Sequence, residues 1–285
     1  MILDLTQTST PGTHGSAGPL DYISASRLKT WQECRLKWYF RYVEKLPTVT
    51  SPALLTGKVI HSLLQFWNVS RWRGEDASLK RMQQVFDSCW SHQCEEDEMN
   101  WDSPEQEEKE KAKCWSILDH YLRHSPIPLD EKPEAVEVTV ERDLLAHGLP
   151  PLIGIIDLVR SGGRIVDFKS TARTPNPLMV EHQNQVQLGC YALLYREATG
   201  RNESGLELHH LIKTKQPKLV VTPMEPINRL QVQGLVRQME SYVEGVLAED
   251  FIPSPGMHCQ WCDYFTQCRN FNPAVTKNKH TKKRT

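Results

Sequence analysis

Residues 154–171, GIIDLVRSGGRIVDFKST, place two aspartates and a lysine inside text that otherwise reads as buried strand. The apolar runs LIGIIDLV (152–159) and RIVDF (164–168) are joined by Ser161-Gly162-Gly163, the composition of a tight turn. Each run carries an aspartate near its C-terminal end, Asp157 and Asp167, and Lys169 follows two residues later. A carboxylate in a buried strand is costly unless something pairs with it. The identity of that partner decides what the chain is.

Adjacent strands across a short turn let Asp157 and Asp167 converge at one end of a sheet. Two carboxylates a few ångströms apart repel each other unless a cation lies between them. Oxygen donors of this kind suit a hard divalent ion, Mg²⁺ or Mn²⁺. Lys169 leaves the strand on the face of Asp167, because alternate residues share a face. An ammonium there is placed to orient a water or to stabilise charge on a phosphoryl group. Spacing alone is equally compatible with a buried Asp–Lys ion pair and a second aspartate capping a turn.

Outward from this stretch the pattern switches between two periods. EAVEVTVERDLL (134–145) alternates as a strand, and LELHHLIKT (206–214) and KLVVTPM (218–224) follow suit. EHQNQVQLGCYALLYREATG (181–200) reads as a helix stopped by Gly200, and INRLQVQGLVRQMESYVEGVLAE (227–249) as a long amphipathic helix. Upstream, SASRLKTWQECRLKWYFRYVEKL (24–46) has a helical stripe of Leu28, Trp31, Leu36, Tyr39 and Phe40, with Ser24 or Ser26 as N-cap. GKVIHSLLQFWNVSRW (57–72) is a further helix carrying His61, and residues 76–124 continue as helices around the acidic stretch 95–111, a solvated face or loop. The order describes an α/β core preceded by a helical insertion. Residues 1–20 read as a disordered leader and 273–285 as a basic disordered tail. Between them, 21–272 form one domain, with a helical lobe at about 57–130 and a core at about 134–250.

Composition excludes several classes. With 285 residues, 34 Lys plus Arg against 35 Asp plus Glu, bulk charge selects no partner, so a polyanion must bind a local basic surface. No apolar run approaches the ~20 residues of a membrane span, and no signal peptide is recognisable. Eight cysteines in a chain of this size are not a secreted disulfide scaffold, which points to a reducing, cytoplasmic setting. HCQWCDYFTQC (258–268) spaces Cys259, Cys262 and Cys268 as C-x2-C-x5-C, which is ligand spacing. Cys34 and His258 both qualify as a fourth ligand, and Zn²⁺ suits such a set. Cys89, Cys94, Cys114 and Cys190 lack ligand spacing. No G-x-x-x-x-G-K-[ST] motif is present, so ATP-driven unwinding would come from another protein.

Five motifs in order make the chain resemble the PD-(D/E)XK nuclease superfamily, specifically its RecB-like branch with an iron–sulfur staple. They are GKVIH with His61, GIID with Asp157, DFK with Asp167 and Lys169, QLGCY with Gln187 and Tyr191, and Cys34 with the late cysteines. The resemblance runs from Ser24 to about Phe271, and Arg35 stands where many relatives carry proline. It implies a restriction-endonuclease-like core, a mixed β-sheet flanked by helices, closed by the cysteine staple. It further implies a metal held by His61, Asp157, Asp167 and the backbone carbonyl of Phe168, and a water positioned by Lys169. Gln187 and Tyr191, one helical turn apart, would reach the phosphate or brace Lys169. Without the family, Gln187 also suits a helix surface and Tyr191 a core aromatic. Glu137 could add a carboxylate from the preceding strand, with Glu141 competing for that role. The late cysteines and Cys34 would hold a [4Fe–4S] cluster, with Zn²⁺ as the alternative.

The activity so implied is a metal-dependent DNA exonuclease preferring single-stranded ends, in DNA repair or CRISPR adaptation, beside a helicase or an adaptation protein. A catalytically weak DNA-binding or assembly subunit is the alternative. The aromatic-basic text WQECRLKWYFRYVEK (31–45) could stack bases, or form a helix with a buried aromatic face. The basic tail, Lys277 to Arg284, would add salt-sensitive affinity for DNA.

Overall fold

The computed structural model describes residues 18–271. Five strands, β1 (Ala135–Arg142), β2 (Leu152–Arg160), β3 (Arg164–Thr171), β4 (Gly205–Ile212) and β5 (Lys218–Met224), form one mixed sheet in the order β1-β2-β3-β4-β5. All neighbours are antiparallel except β3 and β4. That parallel pair requires a crossover, supplied by α6 (Pro177–Thr199), which ends on Gly200 in the left-handed conformation as its sequence indicates. The β2–β3 turn uses Gly162 and Gly163 at φ 80° and 77°, a conformation open to glycine and strained for other residues.

Helices cover both faces, as a sheet containing a fully buried β4 demands. On one face α1 (Ala25–Glu33), α2 (Arg35–Tyr42), α6 and α7 (Arg229–Leu247) pack with Ile156, Ile165, Leu206 and Leu208. On the other, α3 (Pro52–Arg73), α4 (Leu79–Glu96) and α5 (Pro104–His124) pack with Leu158, Val166, Phe168 and Leu211. Ser51, Ser78 and Ser103 cap these three helices, each accepting a first-turn backbone N–H, and Pro52 and Pro104 occupy first-turn positions that need no donor. No helix among the described residues is long and apolar enough to cross a membrane.

Several boundaries differ from the sequence reading. The stripe at 24–46 is two helices, not one: Cys34, in extended conformation (φ −164°, ψ 117°), ends α1 and caps α2 through its own sulfur. Ser24 rather than Ser26 caps α1. The helical layer begins at Pro52, ahead of 57, because Ser51-Pro52 starts the helix. α6 begins at Pro177, four residues before 181. Pro19 and Leu20, read as leader, belong to the packed structure: Arg27 donates to the Pro19 carbonyl at 2.7 Å, and Leu20 packs on the core. The tail 273–285 and leader residues 1–17 lie outside the described residues.

Two further elements close the chain beside α2: a short 3-10 turn (Met257–Trp261) and α8 (Phe265–Arg269). Trp31, Trp38, Tyr242 and Phe251 lock α1, α2 and α7 together through edge and stacked ring contacts at 5.4–6.3 Å. A methyl group on Gly245 would run into the Trp31 ring, so glycine is what lets α7 approach so closely.

Candidate active site

The strand alternation breaks at one place. Val136 and Leu158 pack with the α3–α5 layer, while Val138 and Ile156 pack with the opposite layer. In a regular strand, residues two apart share a face. Glu137, between Val136 and Val138, has a left-handed φ of 47°, and it is the one position in β1 that forms no ladder pair with β2. The register sets it opposite Asp157. The β2–β3 ladder in turn ends at Leu158↔Val166, so the next position on each strand, Asp157 and Asp167, lies where the two strands stop pairing. Three carboxylates on successive strands therefore line up across the sheet. Asp157 fills part of the gap itself: its Oδ2 accepts the Phe168 backbone N–H at 3.0 Å.

Both aspartates are buried. Burial pushes the Asp157 carboxyl up, His61 opposes that shift, and the Asp167 charge adds to it. Burial, then the Asp157 charge, raises Glu137 from 4.5 to about 7. His61, from α3, places Nδ1 3.5 Å from Asp157 Oδ2. Asp167 Oδ2 is buried and receives no well-directed hydrogen bond, although Lys169 Nζ lies 2.8 Å away. Glu141 is not part of this group; it pairs with Ile153 further along β1.

On the other side of Asp167, α6 closes a ring of hydrogen bonds. Lys169 Nζ donates to Gln187 Oε1 at 2.7 Å, and Gln187 Nε2 donates to Asp167 Oδ1 at 2.8 Å. The same Nε2 donates to the Tyr191 hydroxyl at 2.9 Å. Gln187 thus fixes Lys169 against Asp167, and Tyr191 holds the amide that does so. Gln187 is half-buried within this ring, and Tyr191 is a core aromatic whose hydroxyl also accepts from its amide.

Two residues escaped the sequence reading. His210 on β4 pairs in register with Lys169, is buried, and leaves Nδ1 without a partner. Its pKa is lowered, chiefly by burial, while the Asp167 charge opposes the shift. Lys29 on α1 lies near enough to Lys169 and Asp167 to feel both charges; burial first, then Lys169, lowers its pKa. Only the sheet register could have pointed to His210, and nothing local marks Lys29.

The second cluster lies at the junction of α2 with the chain's end. Cys34, Cys259, Cys262 and Cys268 line one cavity, His258 beside them, and all four are free thiols. Cys34 Sγ accepts the backbone N–H groups of Lys37 (3.5 Å) and Ser254 (3.4 Å), and Cys259 Sγ that of Gly256 (3.4 Å). Burial first, then the neighbouring cysteines, raises the Cys268 thiol. Among the described residues no group of three or more His, Cys, Asp or Glu side chains is placed to hold a metal ion, here or at the sheet. The two sets differ in donor chemistry, oxygen at the sheet and sulfur at the second cluster. The sheet site offers buried carboxylate oxygens, one of them, Asp167 Oδ2, without a well-directed hydrogen bond, and the second offers sulfurs with backbone N–H donors around a cavity. Cys89, Cys94 and Cys114 belong to the helical layer and Cys190 to the opposite core.

Two solved structures are similar to this chain, and the first shares its fold. One is described as a "Putative exonuclease" from Eubacterium rectale, 13% identical, covering 93% of this chain and 94% of that one, with a TM-score of 0.62. A second, the crystal structure of SSO0001, is 13% identical over 87% of this chain and 95% of that one, with a TM-score of 0.37. No curated protein matches the sequence. The family model of the PD-(D/E)XK nuclease superfamily matches residues 22–269, a span holding Glu137, Asp157, Asp167, Lys169 and Gln187 of the sheet site and every cysteine of the second cluster. The chain belongs to the PD-(D/E)XK nuclease superfamily.

Proposed function

We propose that the chain is a divalent-metal-dependent DNA exonuclease. The observation that carries this reading is the ring Asp167–Lys169–Gln187 beside Asp157, Glu137 and His61, a set that a retired site would have no need to keep in hydrogen-bonded order. Asp157, Asp167 and His61, with the backbone carbonyl of Phe168, would hold Mg²⁺ or Mn²⁺. Such an ion, when bound, neutralises phosphate charge and lowers the pKa of water.

The remaining work falls to the chain's own side chains. Lys169, tethered by Gln187 Oε1 and Asp167, presents its ammonium at a defined point, where it orients the attacking water and stabilises charge on the phosphate oxygens. Tyr191 keeps the Gln187 amide oriented for both bonds. Glu137, titrating near neutrality beside Asp157, is suited to accept a proton at working pH. Exonuclease rather than endonuclease action is supported by the RecB-like motif order and by the name of the E. rectale structure.

We infer further that Cys34, Cys259, Cys262 and Cys268 hold a [4Fe–4S] cluster that ties α2 to the chain's end. The shared cavity and the N–H donors to sulfur support it. A Zn²⁺ site using His258, whose Nε2 is buried without a partner, is the rival.

The deciding experiment is a nuclease assay on anaerobically purified protein with end-labelled single- and double-stranded DNA, in Mg²⁺, Mn²⁺ or EDTA, with Lys169→Ala alongside. Progressive, metal-dependent shortening that disappears in the variant supports the proposal. Absence of cleavage by a protein with its full iron content points instead to a DNA-binding subunit.

A further inference from the structure

A groove of about 870 Å³ opens on the helical side of the site, and four lysines line it: Lys109 and Lys113 from α5, and Lys213 and Lys215 from the loop after β4. One carboxylate, Glu110, shares it and is paired with Lys113. Lys109 and Lys215 form no ion pair with any described residue. In a chain of net charge −1, this is a local excess of positive charge in a concave surface. The first turn of α3 also lines it, adding the positive end of a 22-residue helix.

Two rails lead from the groove to the carboxylates. α3 lines the groove at Thr56 and carries His61 five residues on, about 7.5 Å along the axis. The segment leaving β3 lines it at Ala172, three residues past Lys169, about 10 Å of extended chain and, by alternation, on the other face of the strand. The rails touch: a Cβ on Gly57 would lie 3.6 Å from Ser170 Oγ. Because β3 and β4 are parallel, their C-terminal ends deliver Ala172 and Lys213 to the same edge, where the Lys213 N–H bonds the Thr171 carbonyl at 2.7 Å.

We propose that this groove is a track for the phosphate backbone of single-stranded DNA, leading toward the site from the α3–α5 side of the sheet, where His61 meets Asp157; the inference rests on the nuclease reading above. The groove holds a few nucleotides and is far smaller than one turn of duplex, which is about 34 Å long. No aromatic side chain lines it, so contacts run to phosphates and carry no sequence preference.

The test is fluorescence anisotropy with a 5′-labelled oligo-deoxythymidine across a potassium chloride series, in the full-length Lys169→Ala protein so that the probe stays intact. Loss of two phosphate contacts makes the slope of log K against log salt shallower by about 1.4, at roughly 0.7 per contact on single strands. Lys213→Ala/Lys215→Ala is expected to show that change, and Lys213→Arg/Lys215→Arg to keep the parent slope. Lys109→Ala/Lys215→Ala, which alters only exposed side chains, guards against a folding defect at the half-buried Lys213. An unchanged slope in both alanine pairs overturns the track. An equal loss on blunt duplex overturns its restriction to single strands. If the parent chain with Lys169 intact cleaves nothing, the nuclease reading falls while the binding result still decides the groove. If it cleaves normally and the slopes are unchanged, the groove alone falls.

Discussion

Glu137 faces Asp157 across the β1–β2 pair, at the single position where that ladder is broken and the backbone turns left-handed. Like charges opposite each other in a sheet are destabilising, and a left-handed glutamate adds strain. Proteins keep such arrangements where a bound cation or a reaction repays them.

This relationship has a pH signature. Glu137 gives up its proton near 4.5 when unfolded and near about 7 when folded. The folded chain therefore holds the extra proton between those values, and metal-free stability falls as pH rises through them. Glu137→Gln is expected to raise the metal-free melting temperature by a few degrees at pH 8 and to leave it nearly unchanged at pH 4.5. Thermal melts at the two pH values check this; equal melting at pH 8 would sink it.

Mg²⁺ or Mn²⁺ should raise the melting temperature of the parent chain at pH 8, since a ligand binding only the folded state stabilises it. Asp157→Asn/Asp167→Asn should abolish that rise while remaining folded by circular dichroism. A metal-dependent rise surviving in the double variant would remove these aspartates from the metal site.

Gln187→Ala frees Lys169 from its tether without removing its charge. Single-turnover cleavage should slow roughly 10- to 100-fold, the scale of losing a supporting contact. Tyr191→Phe, which keeps the ring but removes the acceptor for Gln187 Nε2, should cost less. Full activity in Gln187→Ala would show that Lys169 needs no brace.

Cys34→Ser should strip iron, sulfide and the broad absorbance near 400 nm from anaerobic protein (about the usual position for such clusters) and lower its melting temperature. His258→Ala should retain all three. Zinc in place of iron, lost on His258→Ala, would reverse the ligand assignment.

Gly245→Ala drives a methyl into Trp31, whose ring is held by Trp38, Tyr242 and Phe251 and cannot swing away. Overpacking of this kind costs about 1–3 kcal/mol. Urea denaturation should show a lower midpoint at unchanged slope, and an unchanged midpoint would mean that the ring moves freely.

What the sequence by itself determined were features local in period or composition. Alternation placed Asp167 and Lys169 on one face, Gly162-Gly163 marked the β2–β3 turn, the spacing of Gln187 and Tyr191 stacked them on one helix face, and Gly200 ended α6. Each follows from a repeat of two or 3.6 residues or from a backbone conformation that one residue type favours. The tertiary structure decided whatever depends on register between strands or on how layers meet. The choice of Glu137 over Glu141 came from the ladder break opposite Asp157. The approach of His210 came from the β3–β4 pairing, and that of Lys29 from α1 packing over α6. The split of α1 from α2 at Cys34 sits where the chain's end folds back onto that sulfur. The lysine groove joins α3, α5 and two strand ends separated by over a hundred residues of chain. No periodicity encodes such meetings, because they are set by which surfaces the whole chain must bury at once.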